Sequence, residues 1–222
     1  MALTDIAVEV KQQKLTYLSD EKMQSLYDCI ESVKAAGVPG NFLEFGVALG
    51  GSAICLASEL DGDRKFLGFD VFSMIPSPSE RDGEASHKRY DVIKSGKSAG
   101  IKGDPYYGYR DNLYDTVCEN FTKFGMAVDG NRISLVKGLF DQTLPKVQPG
   151  AIAVAHIDCD WYDPVLCCLT YVFDLISVNG FIVLDDYNDY PGCKQAVNDF
   201  RRTHPGLKLV RTRPHAVFTK AA

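Results

Sequence analysis

The sequence lacks the features that mark membrane, secreted and disulfide-rich proteins. None of its apolar runs reaches membrane-spanning length, so we expect no transmembrane helix. Its first residues contain no signal-peptide core, and its seven cysteines include no CxxC pair. We therefore expect a cytoplasmic protein whose cysteines are reduced and mostly packed in the core.

The sequence also lacks a strong excess of charge of either sign. Its formal net charge is −5 over 222 residues, which argues against a nucleic-acid-binding surface. Hydrophobic residues make up 45% of the chain, which is enough for a large core. The length predicts one domain over residues 1–222. A small-molecule partner and a homo-oligomer are both compatible with these bounds.

Helical and strand-like segments alternate along most of the chain, which predicts a doubly wound α/β sheet. Strands are predicted at the end of VPGNFLEFG, after a turn, and at KFLGFD, NRISLVKG, AIAVAHID and GFIVLDD, with two more in the ending LKLVRTRPHAVFTK. Helices are predicted at 19–36, 52–60, 110–125, 164–176 and 193–204. The segment 71–108 is rich in Ser, Gly, Pro and charge without a clear period, and we expect a lid or insertion there.

Acids and glycines follow five consecutive predicted strands. They are Glu44 with Gly46, Asp70, Gly138, Asp158 with Asp160, and Asp185 with Asp186. One such residue is typical of a turn, but turns do not explain all five. In open α/β sheets ligands bind beyond the carboxyl ends of the strands. Carboxylates that converge there repel each other and need cations or hydrogen-bond donors nearby.

The stretch FLEFGVALGGSA places glycines directly behind the first predicted strand. Gly46 and Gly50 would let a ligand approach the backbone, and Ser52 offers a hydroxyl group near a helix N-terminus. The spacing is not GxGxxG, which disfavours a dinucleotide-dependent dehydrogenase. Asp70 ends the next strand, where nucleotide-binding folds place the acid that binds ribose hydroxyls. An adenosyl ligand with an amino-acid tail fits this pattern better.

Four segments resemble the macrocin O-methyltransferase family: LEFGVALGGSA, GFDVF, HIDCDWYDP and VLDDYNDYPGCKQAVNDF. The resemblance runs from about Pro39 to Phe200. It implies the class I methyltransferase fold, a mostly parallel seven-stranded sheet with an antiparallel last strand. It also implies methylation of a hydroxyl group on a sugar or a sugar-containing natural product, dependent on S-adenosylmethionine and magnesium.

The resemblance implies roles for individual residues of the cofactor site. Gly46 and Ser52 would hold the methionine part of S-adenosylmethionine, and Glu44 would support their loop. Asp70 would accept hydrogen bonds from the ribose hydroxyls. Gly138 would lie near the adenine.

The resemblance also implies that Asp158, Asp185 and Asp186 are metal ligands. Three carboxylates make a hard, oxygen-only set, which suits Mg²⁺ or Mn²⁺. His156 lies two residues before Asp158, and we expect it further back inside the sheet as a buried core histidine, with a catalytic role as the less favoured alternative.

The first motif is also similar to that of catechol O-methyltransferases, which share the pattern E-x-G-x-x-x-G-x-S. Those enzymes carry a lysine base three residues after the first metal aspartate, where this chain has Trp161. The difference leaves Asp158 or Asp160 as the candidate catalytic base. Two alternatives stay open: a catechol or other phenolic O-methyltransferase, and a non-catalytic protein that binds S-adenosylmethionine.

Overall fold

One sheet of seven strands runs through the computed structural model, which describes residues 3–221. The strands are β1 (Asn41–Phe45), β2 (Phe66–Asp70), β3 (Ile133–Lys137), β4 (Ile152–Ile157), β5 (Ile176–Leu184), β6 (Leu207–Arg211) and β7 (Ala216–Lys220). Their order in the sheet is β3-β2-β1-β4-β5-β7-β6. Strand β7 is antiparallel to both of its neighbours, and the other pairs are parallel. The predicted mostly parallel sheet with an antiparallel last strand is confirmed.

Eight α-helices accompany the strands in the described part of the chain. They are α1 (Asp5–Gln12), α2 (Asp20–Ala35), α3 (Gly51–Ser58), α4 (Glu84–Lys94), α5 (Leu113–Lys123), α6 (Phe140–Thr143), α7 (Tyr162–Leu175) and α8 (Pro191–Thr203). Helix α2 begins after Ser19, whose hydroxyl group accepts a hydrogen bond from the Lys22 amide at 3.2 Å. Among the described helices, none combines the length and the apolar character needed to cross a membrane.

Both faces of the sheet are covered, and the sequence of the central strand shows why. All six residues of β4 are buried, as expected for a parallel strand between two layers of helices. One layer of the core includes Phe42, Ile54 and Val154, and the other includes Leu43 and Leu169. Burial on both faces fixes the positions of the strands, and this also fixes where the residues just beyond their carboxyl ends begin.

The register of the strands aligns their carboxyl ends at one edge. Phe45 of β1 pairs with Phe69 of β2 and with Ile157 of β4. Ile157 in turn pairs with Leu184 of β5. The residues that follow these pairs therefore start from the same level of the sheet.

Three helices were not predicted from the sequence: α1, α4 and the single-turn α6. Helix α4 lies inside the segment 71–108, where no periodic pattern was found, and α1 precedes the first predicted helix. Helix α4 buries only Ser86 and Ile93, so it has no apolar stripe for a sequence pattern to reveal. The boundary between the predicted helix at 164–176 and the predicted strand GFIVLDD also differs, because β5 begins at Ile176 directly after α7.

Candidate functional site

Gly46 begins the loop after β1 at a position that admits no side chain. Its φ is +94°, and a Cβ atom there would lie 1.8 Å from the Asp158 carbonyl oxygen. Its amide donates a hydrogen bond to the Phe69 carbonyl oxygen at 2.9 Å. The close approach of two backbones at the ends of β1 and β4 therefore requires glycine at this point.

The second half of the glycine cluster packs against the N-terminal part of the chain. Gly50 has φ +90° and precedes α3. The amide of Gly51 donates to the Leu15 carbonyl oxygen at 3.0 Å, and a Cβ atom at Gly51 would lie 2.5 Å from that oxygen. Ser52 is buried in the first turn of α3. Gly50, Gly51 and Ser52 therefore anchor the end of the loop that begins at Gly46.

Asp70 holds the glycine loop through its carboxylate. Its Oδ2 atom accepts hydrogen bonds from the amides of Val47 at 2.7 Å and Ala48 at 2.9 Å. Its Oδ1 atom accepts one from the Phe72 amide at 2.6 Å. Burial raises the pKa of Asp70, and these three amides partly offset that rise. The sequence predicted that Asp70 binds the ribose hydroxyls of the cofactor. It did not predict that Asp70 also holds the glycine loop.

A cavity of about 300 Å³ opens at this edge of the sheet. Its volume lies at the lower end of the range typical of small-molecule sites. Its lining includes Gly46, Asp70, Gly138, Leu139, Asp158 and Trp161. Of the six predicted cofactor-binding residues, the structure brings Gly46, Asp70 and Gly138 to the cavity wall. Glu44, Gly50 and Ser52 lie outside that lining.

Glu44 lies inside the sheet and pairs with a histidine of the neighbouring strand. Its Oε1 atom is 2.8 Å from His156 Nδ1, and both side chains are fully buried. Burial raises the pKa of Glu44, and the contacts with His156 and Ser52 partly offset the rise. The second oxygen of Glu44 and His156 Nε2 have no hydrogen-bond partner. The prediction that His156 is a buried histidine inside the sheet is confirmed, although only one of its ring nitrogens is hydrogen-bonded.

Asp158, Asp185 and Asp186 meet at the ends of β4 and β5. One carboxylate oxygen from each residue lies within 4.8 Å of those of the other two. Burial and the charge of Asp185 raise the pKa of Asp158 well above its usual range. Burial and the charges of Asp160 and Asp158 do the same for Asp186. This oxygen-only donor set fits a small divalent cation, which would offset the repulsion within the cluster.

Asp160 stands beside this cluster in a strained backbone conformation. Its φ is +59°, a region that non-glycine residues rarely adopt and that is often found at functional sites. Its amide donates to Asp186 Oδ2 at 2.9 Å, which orients that ligand candidate. Burial and the charge of Asp185 raise the pKa of the Asp160 carboxyl group to about 6.

Asp185 differs from its two neighbours because Lys22 and two histidines contact it. Burial alone would raise its pKa, but contacts with His156 and His215 and the charge of Lys22 hold it well below the usual range. His156 Nε2 is 3.7 Å and His215 Nδ1 is 3.3 Å from Asp185 Oδ1. Burial would lower the pKa of His156, but its contacts with Asp185 and Glu44 outweigh burial and raise that pKa to about 10.

Sequence reasoning missed Lys22 and His215 as neighbours of the cluster. Lys22 lies on α2, and its Nζ atom is 2.8 Å from Asp185 Oδ2. Burial would lower the pKa of Lys22, but Asp185 and Asp189 raise it above its usual value. No sequence signal marks these partners, because Lys22 lies 163 residues from Asp185 and contacts it only through tertiary packing.

The segment 71–108 is tied to α7 next to the cavity. Asp82 Oδ1 accepts a hydrogen bond from the Tyr162 amide at 2.9 Å, and Trp161 Nε1 donates to the Pro76 carbonyl oxygen at 3.0 Å. Within the same segment, Tyr107 lines the cavity, and its ring lies 4.4 Å from that of Tyr106. This part of the chain therefore forms one wall of the cavity.

Comparison with known proteins gives concordant results. A family model described as Macrocin-O-methyltransferase (TylF) matches residues 5–209. The chain is 30% identical over 190 residues to 8-demethyl-8-(2,3-dimethoxy-alpha-L-rhamnosyl)-tetracenomycin-C 4'-O-methyltransferase of Streptomyces olivaceus, covering 84% of this chain and 67% of that protein. It is 27% identical over 198 residues to Mycinamicin III 3''-O-methyltransferase of Micromonospora griseorubida, covering 85% of this chain and 71% of that protein.

The fold is similar to the solved structure of the O-methyltransferase NovP. The TM-score is 0.78 at 23% identity, covering 94% of this chain and 83% of the other. This likeness concerns the fold, whereas the family model spans nearly the whole chain and the first relative shares 30% of its residues over the matched part. The chain therefore belongs to the macrocin O-methyltransferase family and is an O-methyltransferase.

Proposed function

We propose that this enzyme transfers a methyl group from S-adenosylmethionine to a hydroxyl group of a sugar or sugar-containing natural product, with Mg²⁺ or Mn²⁺ held by Asp158, Asp185 and Asp186. The observation that carries the proposal is the position of Asp158. It lines the cavity that Gly46 and Asp70 also line, and it is a member of the carboxylate cluster. One residue thus joins the candidate cofactor site to the candidate metal site.

The cavity wall supports the cofactor assignment. Gly46 leaves its backbone open to a ligand, and Asp70 retains acceptor capacity beyond its three amide bonds, because a carboxylate has about four lone-pair sites. Gly138 faces the same cavity. When bound, S-adenosylmethionine supplies a methyl group already activated on a sulfonium centre. The chain supplies its orientation and excludes water from the cavity.

The carboxylate cluster supports the metal assignment through its chemistry. When bound, a divalent ion supplies a positive centre that holds hydroxyl oxygens and lowers their pKa. Asp158 and Asp186 have no ion-pair partner among the described residues, so their oxygens are available as ligands. Asp185 would complete the set from the end of β5.

Asp160 is our candidate for the base that takes the proton of the acceptor hydroxyl group. It lies beside the cluster, and burial and the charge of Asp185 raise the pKa of its carboxyl group, which makes the carboxylate a stronger base. Asp158 is the second candidate, because the same aspartate could ligate the metal and accept the proton. Trp161 occupies the position at which catechol O-methyltransferases have a lysine.

The acceptor class is inferred from two sources. The name of the relative from Streptomyces olivaceus includes a rhamnosyl group, which supports a sugar-containing acceptor. The wall built by 71–108 would face that acceptor, next to the rings of Tyr106 and Tyr107. Those rings also fit a phenolic acceptor, which makes a catechol or other phenolic substrate the second candidate. The seven unpaired cysteines suit the reducing cytoplasm as the place of action.

We expect transfer of a labelled methyl group from S-adenosylmethionine to glycosides with neighbouring free hydroxyl groups. The measurement screens such glycosides, their deoxy analogues and catechols, each with Mg²⁺ and with a chelator. Label in glycosides but not in their deoxy analogues, and only with Mg²⁺, is the expected result. Label confined to catechols would replace the sugar acceptor with the phenolic one. Failure of the demethylated cofactor to bind in calorimetry would contradict the cofactor assignment.

A further inference from the structure

Lys22 places a fixed ammonium group against one side of the carboxylate cluster. Its Nζ atom is 2.8 Å from Asp185 Oδ2, 2.9 Å from Asp189 Oδ2 and 3.1 Å from the Asp185 carbonyl oxygen. An ammonium group has three donors, so these three acceptors satisfy it completely. The Lys22 side chain is only 18% exposed, which limits screening by solvent. The ammonium group of Lys22 is therefore held in one orientation, and its positive charge acts strongly on the neighbouring carboxylates.

The charge of Lys22 acts unequally on the three aspartates. It is bonded to Asp185, while no lysine or arginine forms an ion pair with Asp158 or Asp186 in the part of the chain that the structure describes. The opposite oxygen of Asp185 faces two imidazole rings, so both of its oxygens already have protein partners. A divalent ion that binds Asp158 and Asp186 would share its third ligand, Asp185, with Lys22, whose charge already neutralises that carboxylate.

We propose that the ammonium group of Lys22 is a permanent positive charge in the metal site. Lys22 holds Asp185 in place when no metal is bound, and it weakens the affinity of the cluster for divalent ions. The inference rests on the proposed metal site at Asp158, Asp185 and Asp186. Its physical basis is Coulomb repulsion between the ammonium group and a second cation bound to the same carboxylate. Lys22 also lowers the repulsion among the aspartates when no metal is bound, so the site is formed before the ion arrives.

The test is a titration with Mn²⁺ alone. Binding is measured as the loss of the free Mn²⁺ signal in electron paramagnetic resonance. Lys22→Met removes the charge and keeps most of the side-chain volume. We expect its Kd for Mn²⁺ to be at least about fivefold lower than that of the wild type. We also expect a lower Tm without metal and a larger rise of Tm on adding Mn²⁺. Lys22→Gln provides a second neutral variant in case Lys22→Met does not fold.

Two control variants separate charge from shape and from general effects on α2. Lys22→Arg keeps the charge, and its Kd should stay within about twofold of the wild type. Lys34→Met changes a lysine on the same helix that also contacts two carboxylates, Glu59 at 2.8 Å and Glu31 at 3.4 Å, and it should leave the Kd unchanged. Equal or weaker Mn²⁺ binding by the neutral variants would overturn the role of Lys22. Absence of Mn²⁺ binding by the wild type would overturn the metal site itself.

Discussion

Asp186→Asn is expected to lower turnover at least about 100-fold while the protein stays folded. The substitution keeps the volume of the side chain and removes one negative charge from the cluster. The Asp160 amide donates to Asp186 Oδ2 at 2.9 Å, so the asparagine would turn its oxygen toward that amide. Its NH₂ group would then face the candidate metal site, where a donor cannot ligate a cation.

Steady-state kinetics with a labelled methyl group and Mn²⁺ titration would measure this effect. Asp174→Asn removes the same charge from an exposed position near the end of α7 and should retain nearly full turnover. Asp160→Asn should lower turnover much more than it weakens Mn²⁺ binding, because it removes a base and a neighbouring negative charge but no ligand. Turnover of Asp186→Asn within threefold of the wild type would be incompatible with a metal site at this residue.

Asp70→Ala is expected to weaken binding of the demethylated cofactor about 10- to 100-fold, the scale of losing hydrogen bonds to a charged group. Two causes act together. The substitution removes a carboxylate from the cavity wall, and it leaves the amides of Val47, Ala48 and Phe72 without their acceptor. Ala48 has φ +49°, so the loop is strained and depends on Asp70 to hold its shape.

Calorimetry would measure the affinity, and urea unfolding without the cofactor would measure the stability of the same variant. Asp63→Ala, on the exposed turn before β2, is the matched control and should change neither quantity. Cofactor affinity of Asp70→Ala within twofold of the wild type would remove Asp70 from the site and leave only its role in the loop.

The positions of the acids could be predicted because parallel topology determines them. Once β4 and β5 are recognised as neighbours, the residues after Ile157 and Leu184 must lie at the same edge of the sheet. The sequence pattern alone therefore brought Asp158 close to Asp185 and Asp186. The same reasoning placed Gly138 near Asp70, whose carbonyl oxygen accepts the Gly138 amide at 2.9 Å.

Contacts that depend on tertiary packing could not be predicted. Lys22 reaches Asp185 from a helix whose own pattern specifies only which face is buried. The pairing of Glu44 with His156 required the register of β1 against β4, which no local pattern gives. The homo-oligomer stays a prediction, as do the boundaries of the lid or insertion at 71–108.

The central claim is that the three aspartates hold a divalent ion beside the cofactor cavity. Anomalous diffraction from crystals grown with Mn²⁺ and the demethylated cofactor tests it most directly. We predict one manganese peak within bonding distance of oxygen atoms from Asp158, Asp185 and Asp186, next to the cofactor in the cavity lined by Gly46 and Asp70. A fully occupied cofactor with no manganese peak at this cluster would contradict the account.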